Sequence, residues 1–181
     1  MQMTTLECVF LKNVDVEDDT IFENLNEINV SKCKNLRVID IEQAGEKFTE
    51  LDLSSNDKLN SLGLEGLRGL KQLKMPETDN LKEIVVKETA LESLALEKYT
   101  KLDKVCVGGN QFNTLKINME QKTEKDIENM YLLFDNNLKV EFISSKSGIV
   151  PNIKRLDNHN LWAGIVFSNY VVTDYEIPEC W

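Results

Sequence analysis

The sequence predicts a mostly β solenoid, with short parallel strands on two sides of the coil, few helices and a β-rich C-terminal cap. Three observations predict this fold class. An apolar hexamer recurs in phase along half of the chain, its last positions alternate with the period of a β-strand, and only about five residues separate one hexamer from the next. The 181 residues are expected to form one domain.

The hexamer has the pattern apolar-x-x-apolar-x-apolar. Its last three positions alternate, as in a strand that buries one of its faces. An amphipathic helix needs apolar residues at i, i+3, i+4 and i+7, and these intervals do not sustain that spacing. Nine copies begin 10 to 12 residues apart, at Leu25, Leu36, Phe48, Leu59, Leu70, Leu81, Leu91, Leu102 and Phe112.

The linkers between hexamers are rich in residues that favour turns. They are too short for a crossover helix, which takes about a dozen residues, so each linker is predicted to be a tight bend. Stacked bends and strands bury the leucine rows inside the coil. The turn formers are Lys34-Asn35, Ala44-Gly45, Ser55-Asn56-Asp57, Gly66, Gly69, Pro76, Asp79-Asn80 and Gly108-Gly109-Asn110.

Alternate hexamers are expected on opposite sides of the coil, which gives two sheets. The residue between the last two apolar positions then points outward and forms a column on each sheet. Exposed Val85 and Cys106 beside Gly63 are either a contact patch or tolerated surface residues. The first column is Asn29, Asp52, Lys74, Ala95 and Lys116, and the second is Asp40, Gly63, Val85 and Cys106.

The stretch Phe48–Leu64, FTELDLSSNDKLNSLGL, contains two consecutive hexamers with their linker. It resembles the leucine-rich repeats, above all a short bacterial class in which two half-repeats of about ten or eleven residues form one repeat of about 21. The resemblance covers residues 25–117. It implies a non-catalytic protein-binding function that uses the outer faces of the solenoid.

The resemblance also implies an asparagine at the ninth position of each half-repeat, which hydrogen-bonds the backbone of the neighbouring coil. Asn56 and Asn110 fit this position. Leu67 and Tyr99 occupy it elsewhere and cannot mimic an amide, so irregular turns are expected there.

Both ends of the coil are expected to carry caps. Residues 1–24 are predicted to form the N-terminal cap, in which Leu6–Leu11 is a further hexamer that starts the coil. Residues 118–181 are predicted to form an irregular final coil and a C-terminal cap, with a strand at Leu138–Ile143 and aromatic residues that plug the last coil.

One segment of the final coil, residues 123–134, has two interpretations. Thr123 and Asp126 fit the capping box of a helix that begins near Thr123. Ile127–Leu132 also fits the hexamer, which favours a strand.

The chain is acidic, with 31 acidic and 21 basic residues and a net charge of −10. Negative charge opposes binding to nucleic acid and to anionic membranes, so neither is an expected partner. The N-terminal loop around Asp15, Asp18 and Asp19 is strongly acidic, which suits a basic protein partner.

The cysteines are Cys8, Cys33, Cys106 and Cys180, without the close pairs of a zinc site. We therefore expect no metal and no other cofactor. With no signal peptide evident, the thiols suggest a reducing, cytoplasmic location, or a cell-surface one if a leader is missing. A Cys8–Cys33 or Cys8–Cys180 disulfide stays open at this point.

The function predicted from the sequence is a protein-binding module, monomeric or weakly dimeric, and not an enzyme, because His159 is the only histidine that could serve as a base. Alternatives are an immunity or antitoxin-like inhibitor of a basic toxin, a module of a surface adhesin and, as the weakest, a hydrolase around His159. The candidate partner-binding residues are Asn29, Glu50, Asp52, Lys74, Lys116, Asp15, Asp18 and Asp19.

Overall fold

The computed structural model describes residues 6–11, 22–144, 151 and 153–156, and for 153–156 the backbone alone. It is a mostly β solenoid of about 5 turns, with stacked parallel strands and almost no helix. The predicted solenoid fold is therefore confirmed, whereas the aromatic residues of the predicted C-terminal cap lie outside the described residues.

The described chain contains eleven strands and one short helix. In chain order they are β1 Cys8–Leu11, β2 Val38–Glu42, β3 Glu50–Asp52, β4 Ser61–Glu65, β5 Gln72–Lys74, β6 Glu83–Lys87, β7 Lys104–Gly108, β8 Thr114–Asn118, α1 Glu124–Asn129, β9 Tyr131–Asp135, β10 Lys139–Ile143 and β11 Ile153–Leu156.

The strands form one large sheet and two small ones, on opposite sides of the coil as predicted. The large sheet has seven strands in the order β1-β2-β4-β6-β7-β9-β11, and every pair is parallel. The small sheets are the parallel pairs β3–β5 and β8–β10. Parallel pairing of strands that are far apart in sequence is the expected result of coils that stack in register.

Two of the nine hexamers form no strand. The hexamer from Leu25 makes no ladder, and that from Leu91 makes only an isolated parallel bridge between Leu96 and Ile117. The bridge lies in the gap between the two small sheets, so the predicted second side is a broken sheet.

The core is filled by the inward positions of both sets of strands. The first leucine of each large-sheet hexamer is fully buried, as are the inward residues of the strands that follow. Burial of one fully enclosed leucine contributes about 2 kcal/mol, so these rows are the main source of stability. Leu36, Leu59, Leu81 and Leu102 form this row, and each has 0% of its surface exposed.

Polar side chains at the corners of the coil hydrogen-bond the backbone of the adjacent coil. Asn56 donates from Nδ2 to the carbonyl oxygens of Val30 and Cys33, both at 3.0 Å. Asn110 donates to the carbonyl of Val86 at 2.9 Å in the same way. Both asparagines therefore satisfy buried carbonyls of the preceding coil, as the repeat pattern implies.

The two departures from asparagine do not disrupt their turns. The Tyr99 hydroxyl donates to the carbonyl oxygen of Pro76 at 2.9 Å, which replaces the missing amide. At Leu67, the carbonyl accepts a regular turn bond from the Leu70 N–H at 2.9 Å. The expectation of irregular turns was wrong, because a hydroxyl replaces the amide at Tyr99 and the backbone bond keeps the turn at Leu67 without a bridging side chain.

The segment at residues 123–134 is a helix followed by a strand. Thr123 and Asp126 form the predicted capping box, and α1 ends at Asn129. β9 then joins the large sheet beside β7. Both interpretations of this segment are thus partly right, because Ile127 is the buried residue of the helix whereas Tyr131 and Leu132 lie in β9. The predicted strand at Leu138–Ile143 is confirmed as β10.

Candidate functional site

The solenoid presents two outer faces. We call the outward residues of β3, β5, β8 and β10, together with Asn29 and Ala95, the small-sheet face. The outward residues of the large sheet form the large-sheet face. Five of the predicted site residues, Asn29, Glu50, Asp52, Lys74 and Lys116, belong to the small-sheet face, and all five are exposed.

Two steps of the predicted column on the small-sheet face are confirmed in register, Asp52 with Lys74 and Ala95 with Lys116. Asp52 lies opposite Lys74 in the β3–β5 pair. The bridge between Leu96 and Ile117 brings Ala95 beside Lys116, and Lys116 lies opposite Glu141 in the β8–β10 pair. Glu141 is the member of this column that the sequence analysis did not include.

Exposed ion pairs connect the charged members of the small-sheet face. Lys74 Nζ lies 2.8 Å from Glu50 Oε1 and 3.2 Å from Asp52 Oδ2. Glu141 is shared by Lys139 at 3.0 Å and Lys116 at 3.8 Å. The pairing raises the pKa of Lys74, chiefly through its hydrogen bond to Glu50. Exposed pairs of this kind contribute little to folding stability, so a partner can replace them at small cost.

Two residues of the small-sheet face also cap local turns. The Ser54 hydroxyl donates to Asp52 Oδ1 at 2.6 Å and its N–H donates at 3.0 Å. These bonds, with that from Lys74, lower the pKa of Asp52 to about 2. Asn29 accepts the same two bonds from Ser31, at 2.7 and 3.1 Å. Asn29 and Asp52 therefore have a structural role as well as an outward position.

The large-sheet face carries the second predicted column, also in register. Asp40, Gly63, Val85 and Cys106 are successive cross-strand neighbours. The register extends the column to Phe10 on β1 and to Leu133 on β9.

The expectation that Cys106 is exposed is wrong. Cys106 is 3% exposed and Leu133 is 4% exposed, and with half-buried Val85 and Tyr131 they form an apolar cluster separate from the core. Burial raises the pKa of the Cys106 thiol to about 12. These side chains point away from the coil and are nevertheless enclosed.

Charged residues of the large-sheet face are paired across strands and shielded from water. Lys87 Nζ lies 3.1 Å from Glu65 Oε1, and only 5% of the Lys87 side chain is exposed. Lys104 pairs with Glu83 at 3.0 Å. Burial raises the pKa of both glutamates in spite of these lysines.

The sequence analysis missed these two pairs. A signal for them exists, because each pair places opposite charges at equivalent positions of neighbouring repeats: Glu83 and Lys104 are the third residues of their hexamers, and Glu65 and Lys87 directly follow theirs.

Gly63 leaves room for the side chain of its cross-strand neighbour, Asp40. A Cβ atom at this position would collide with the carboxylate of Asp40, which lies over the glycine from the neighbouring strand. The missing side chain at Gly63 therefore leaves the space that the carboxylate of Asp40 occupies.

The acidic residues Asp15, Asp18 and Asp19 lie outside the described residues, as does His159. The toxin-inhibitor hypothesis depends on the three aspartates and stays a prediction. Within the described ranges, no group of three His, Cys, Asp or Glu side chains could hold a metal ion, and no helix is long and apolar enough to cross a membrane.

The cysteines divide into two kinds. Cys8 is disulfide-bonded, whereas the buried Cys33 and Cys106 are not. This excludes the Cys8–Cys33 pairing that the sequence left open. Cys180 lies outside the described residues.

Comparisons with protein-family models, curated proteins and solved structures found no significant match to this chain. The evidence for the parallel solenoid is therefore the pairing of the chain's own strands.

Proposed function

We propose that this protein is a non-catalytic binding module, related in design to the leucine-rich repeats, that binds another protein through its small-sheet face. The observation that carries the proposal is a strip of ion-paired surface charges, in which the exposed Glu50, Asp52, Lys74 and Lys116 are joined by the half-buried Glu141.

The relation to leucine-rich repeats is supported by three features. The apolar hexamers fill the core, consecutive hexamers alternate between two sides, and Asn56 and Asn110 hydrogen-bond the preceding coil. The large sheet is parallel throughout, as expected of a stacked repeat.

The small-sheet face suits a protein partner for a physical reason. Its ion pairs are about half exposed, so their charges are hydrated and can be redirected to an incoming surface. A partner with a complementary strip of charges could form several pairs along the axis of the solenoid. Ala95 lies between the charged pairs and offers a shallow apolar contact.

The test is comparative affinity capture with the full chain as bait. Lys74→Glu reverses a charge at the centre of the strip, and its side chain is 55% exposed. Lys101→Glu is a matched control, because Lys101 is 53% exposed and also ion-paired, with Asp79, but lies at a corner of the coil. We expect one partner to bind the native chain and Lys101→Glu, and to bind Lys74→Glu at least about tenfold more weakly.

Two outcomes contradict the proposal. One is a partner that binds Lys74→Glu and Lys101→Glu with equal affinity. The other is recovery of no protein at any salt concentration from lysate of the source organism, since weak electrostatic partners are retained at low ionic strength.

A further inference from the structure

The small-sheet face is interrupted between β5 and β8. Residues 91–96 lie between these strands and make no ladder, and their one isolated bridge, from Leu96 to Ile117, joins only the end of the segment to β8. No ladder of the described chain therefore connects β5 to the next coil. On the opposite side of the same two coils, β6 and β7 pair along their whole length.

The break leaves one edge of β5 without a strand partner in the described chain. The Gln72 N–H donates to the carbonyl of Thr49 at 3.1 Å. The Lys74 carbonyl accepts from the Leu53 N–H at 2.8 Å, so both residues direct their backbone groups towards β3. Alternate residues of a strand direct these groups to opposite edges, and those of Leu73 therefore face the break. Because buried backbone groups are nearly always paired, this edge is one that water or a partner reaches.

The inward side chains beside the break are incompletely covered. Leu73 and Met75 are half-buried. Leu51 and Leu53, which hold the same positions one coil earlier, have 0% of their surface exposed. On the other side of the break, Leu94 is 9% exposed. We call the space lined by Leu73, Met75 and Leu94 the coil gap.

Two exposed lysines flank the coil gap. Lys74 and Lys116 lie 21 residues before and after exposed Ala95, which is one coil in each direction. Two coil spacings separate the lysines by roughly 10 Å along the solenoid axis. Glu92 and Glu97 lie towards the two ends of the segment that carries Ala95. A negatively charged partner is therefore attracted along the axis and repelled across it.

We propose, building on the protein-binding function proposed above, that the coil gap determines which partner the small-sheet face accepts. An extended segment of the partner inserts one apolar side chain between Leu73, Met75 and Leu94. It places one carboxylate against Lys74 and another against Lys116, whose exposed ion pairs with acids of this chain are exchanged at little cost.

The sequence that fits this arrangement is acid-x-apolar-x-acid. Alternate side chains of an extended segment share one face, so all three groups point at the solenoid. The two acids are then about 13 Å apart along the segment, and the flexible lysine side chains cover the difference from their own spacing. The partner is thus a protein with an acidic, extended segment that carries a single central apolar residue.

The first test titrates the full chain, isotope-labelled for amide NMR spectroscopy, with the capped peptide Glu-Ser-Leu-Ser-Glu into the millimolar range. The controls are Glu-Ser-Ser-Ser-Glu, which lacks the apolar residue, and Lys-Ser-Leu-Ser-Lys, which reverses the charges. We expect only the first peptide to shift the amide signals of Leu73, Leu94 and Ala95 in a saturable way. No shift at these residues, or equal shifts with either control, would overturn the proposal.

The second test repeats the titration with Ala95→Glu and Thr49→Glu. Both substitutions add one negative charge at an exposed position of the same side of the coil, but only Ala95 lies over the coil gap. We expect Ala95→Glu to bind the first peptide at least about tenfold more weakly and Thr49→Glu to bind it as the native chain does. The amide spectrum shows that each variant is folded, and equal affinity of the two variants would overturn the proposal.

Affinity capture with the same variants separates this inference from the proposed function. A partner that is lost with Lys74→Glu but binds Ala95→Glu and Thr49→Glu equally well would support the small-sheet face and overturn the role of the coil gap. Recovery of no partner by the native chain would contradict the proposed function itself, and with it this inference. Selective loss of the partner with Ala95→Glu is the expected result.

Discussion

The two outer faces of the solenoid are built from the same hexamer and have opposite characters. On the small-sheet face, Glu50, Asp52, Lys74 and Lys116 are exposed and paired at the surface. On the large-sheet face, no charged residue of the described strands β2, β4, β6, β7 and β9 is exposed. The exposure of an outward residue therefore depends on the sheet to which it belongs, and not on its place in the repeat.

The largest effect that follows from this comparison concerns the ion pair between Lys87 and Glu65. Glu65→Ala removes the carboxylate that lies 3.1 Å from the ammonium of Lys87, whose side chain is only 5% exposed, and we expect this loss to lower the free energy of unfolding by about 3 kcal/mol. Urea denaturation measures this change in the free energy of unfolding.

The matched substitution on the small-sheet face is Glu50→Ala, which removes one partner of exposed Lys74. We expect no measurable change in stability there, because Lys74 is hydrated and keeps Asp52 as a partner. Equal destabilisation by both substitutions would mean that the two faces do not differ in burial.

A smaller effect is expected at Gly63. Gly63→Ala forces a Cβ into the carboxylate of Asp40, and we expect a loss of about 1 kcal/mol in the free energy of unfolding. Asp40→Ala removes the obstacle. The double variant should therefore lose less free energy of unfolding than the sum of the losses in Gly63→Ala and Asp40→Ala. Strict additivity in this double-mutant cycle would show that the two side chains do not compete for space.

The smallest effect concerns pH: ionisation of Asp52 and ionisation of Glu65 are expected to change the free energy of unfolding in opposite directions. The pKa of Asp52 is lowered in the folded chain to about 2 from 3.8, so its contribution is complete above pH 3.8 and lost as the pH falls through 2. The pKa of Glu65 is raised above 4.5 by burial, so stability falls as the pH rises from 4.5 through the folded pKa.

The two signs can be separated by urea midpoints across the pH range. Asp52→Asn should flatten the rise between pH 2 and 4, and Glu65→Gln should flatten the fall above pH 4.5. Ser54→Ala is a second test of the first effect, because it removes the hydroxyl hydrogen bond that lowers the pKa of Asp52 and keeps the bond from the backbone N–H. The account fails here if Asp52→Asn and Glu65→Gln change the same limb of the curve.

Much of the fold could be predicted from the sequence because a period-two pattern in phase fixes both strands and register. The columns Asp40–Gly63–Val85–Cys106 and Asp52–Lys74 follow from counting alone. The capping box at Thr123 is a local signal and could also be predicted from the sequence.

The features that were not predicted depend on contacts between coils. The pattern treats Cys106 as an outward residue, and its burial comes from neighbours that no local rule provides. Tyr99 reaches a carbonyl 23 residues away, and Lys87 is shielded by the packing of the face around it.

A direct test of the difference between the two faces compares Val85→Cys with Ala95→Cys, each in a chain with Cys33 and Cys106 replaced by alanine. The two positions are the same outward place in consecutive hexamers, on opposite faces. We predict that maleimide modifies Cys at position 95 several times faster than at position 85, because position 95 is exposed and position 85 is half-buried in the cluster with Leu133. Equal rates in the folded protein would contradict the difference in burial between the two faces.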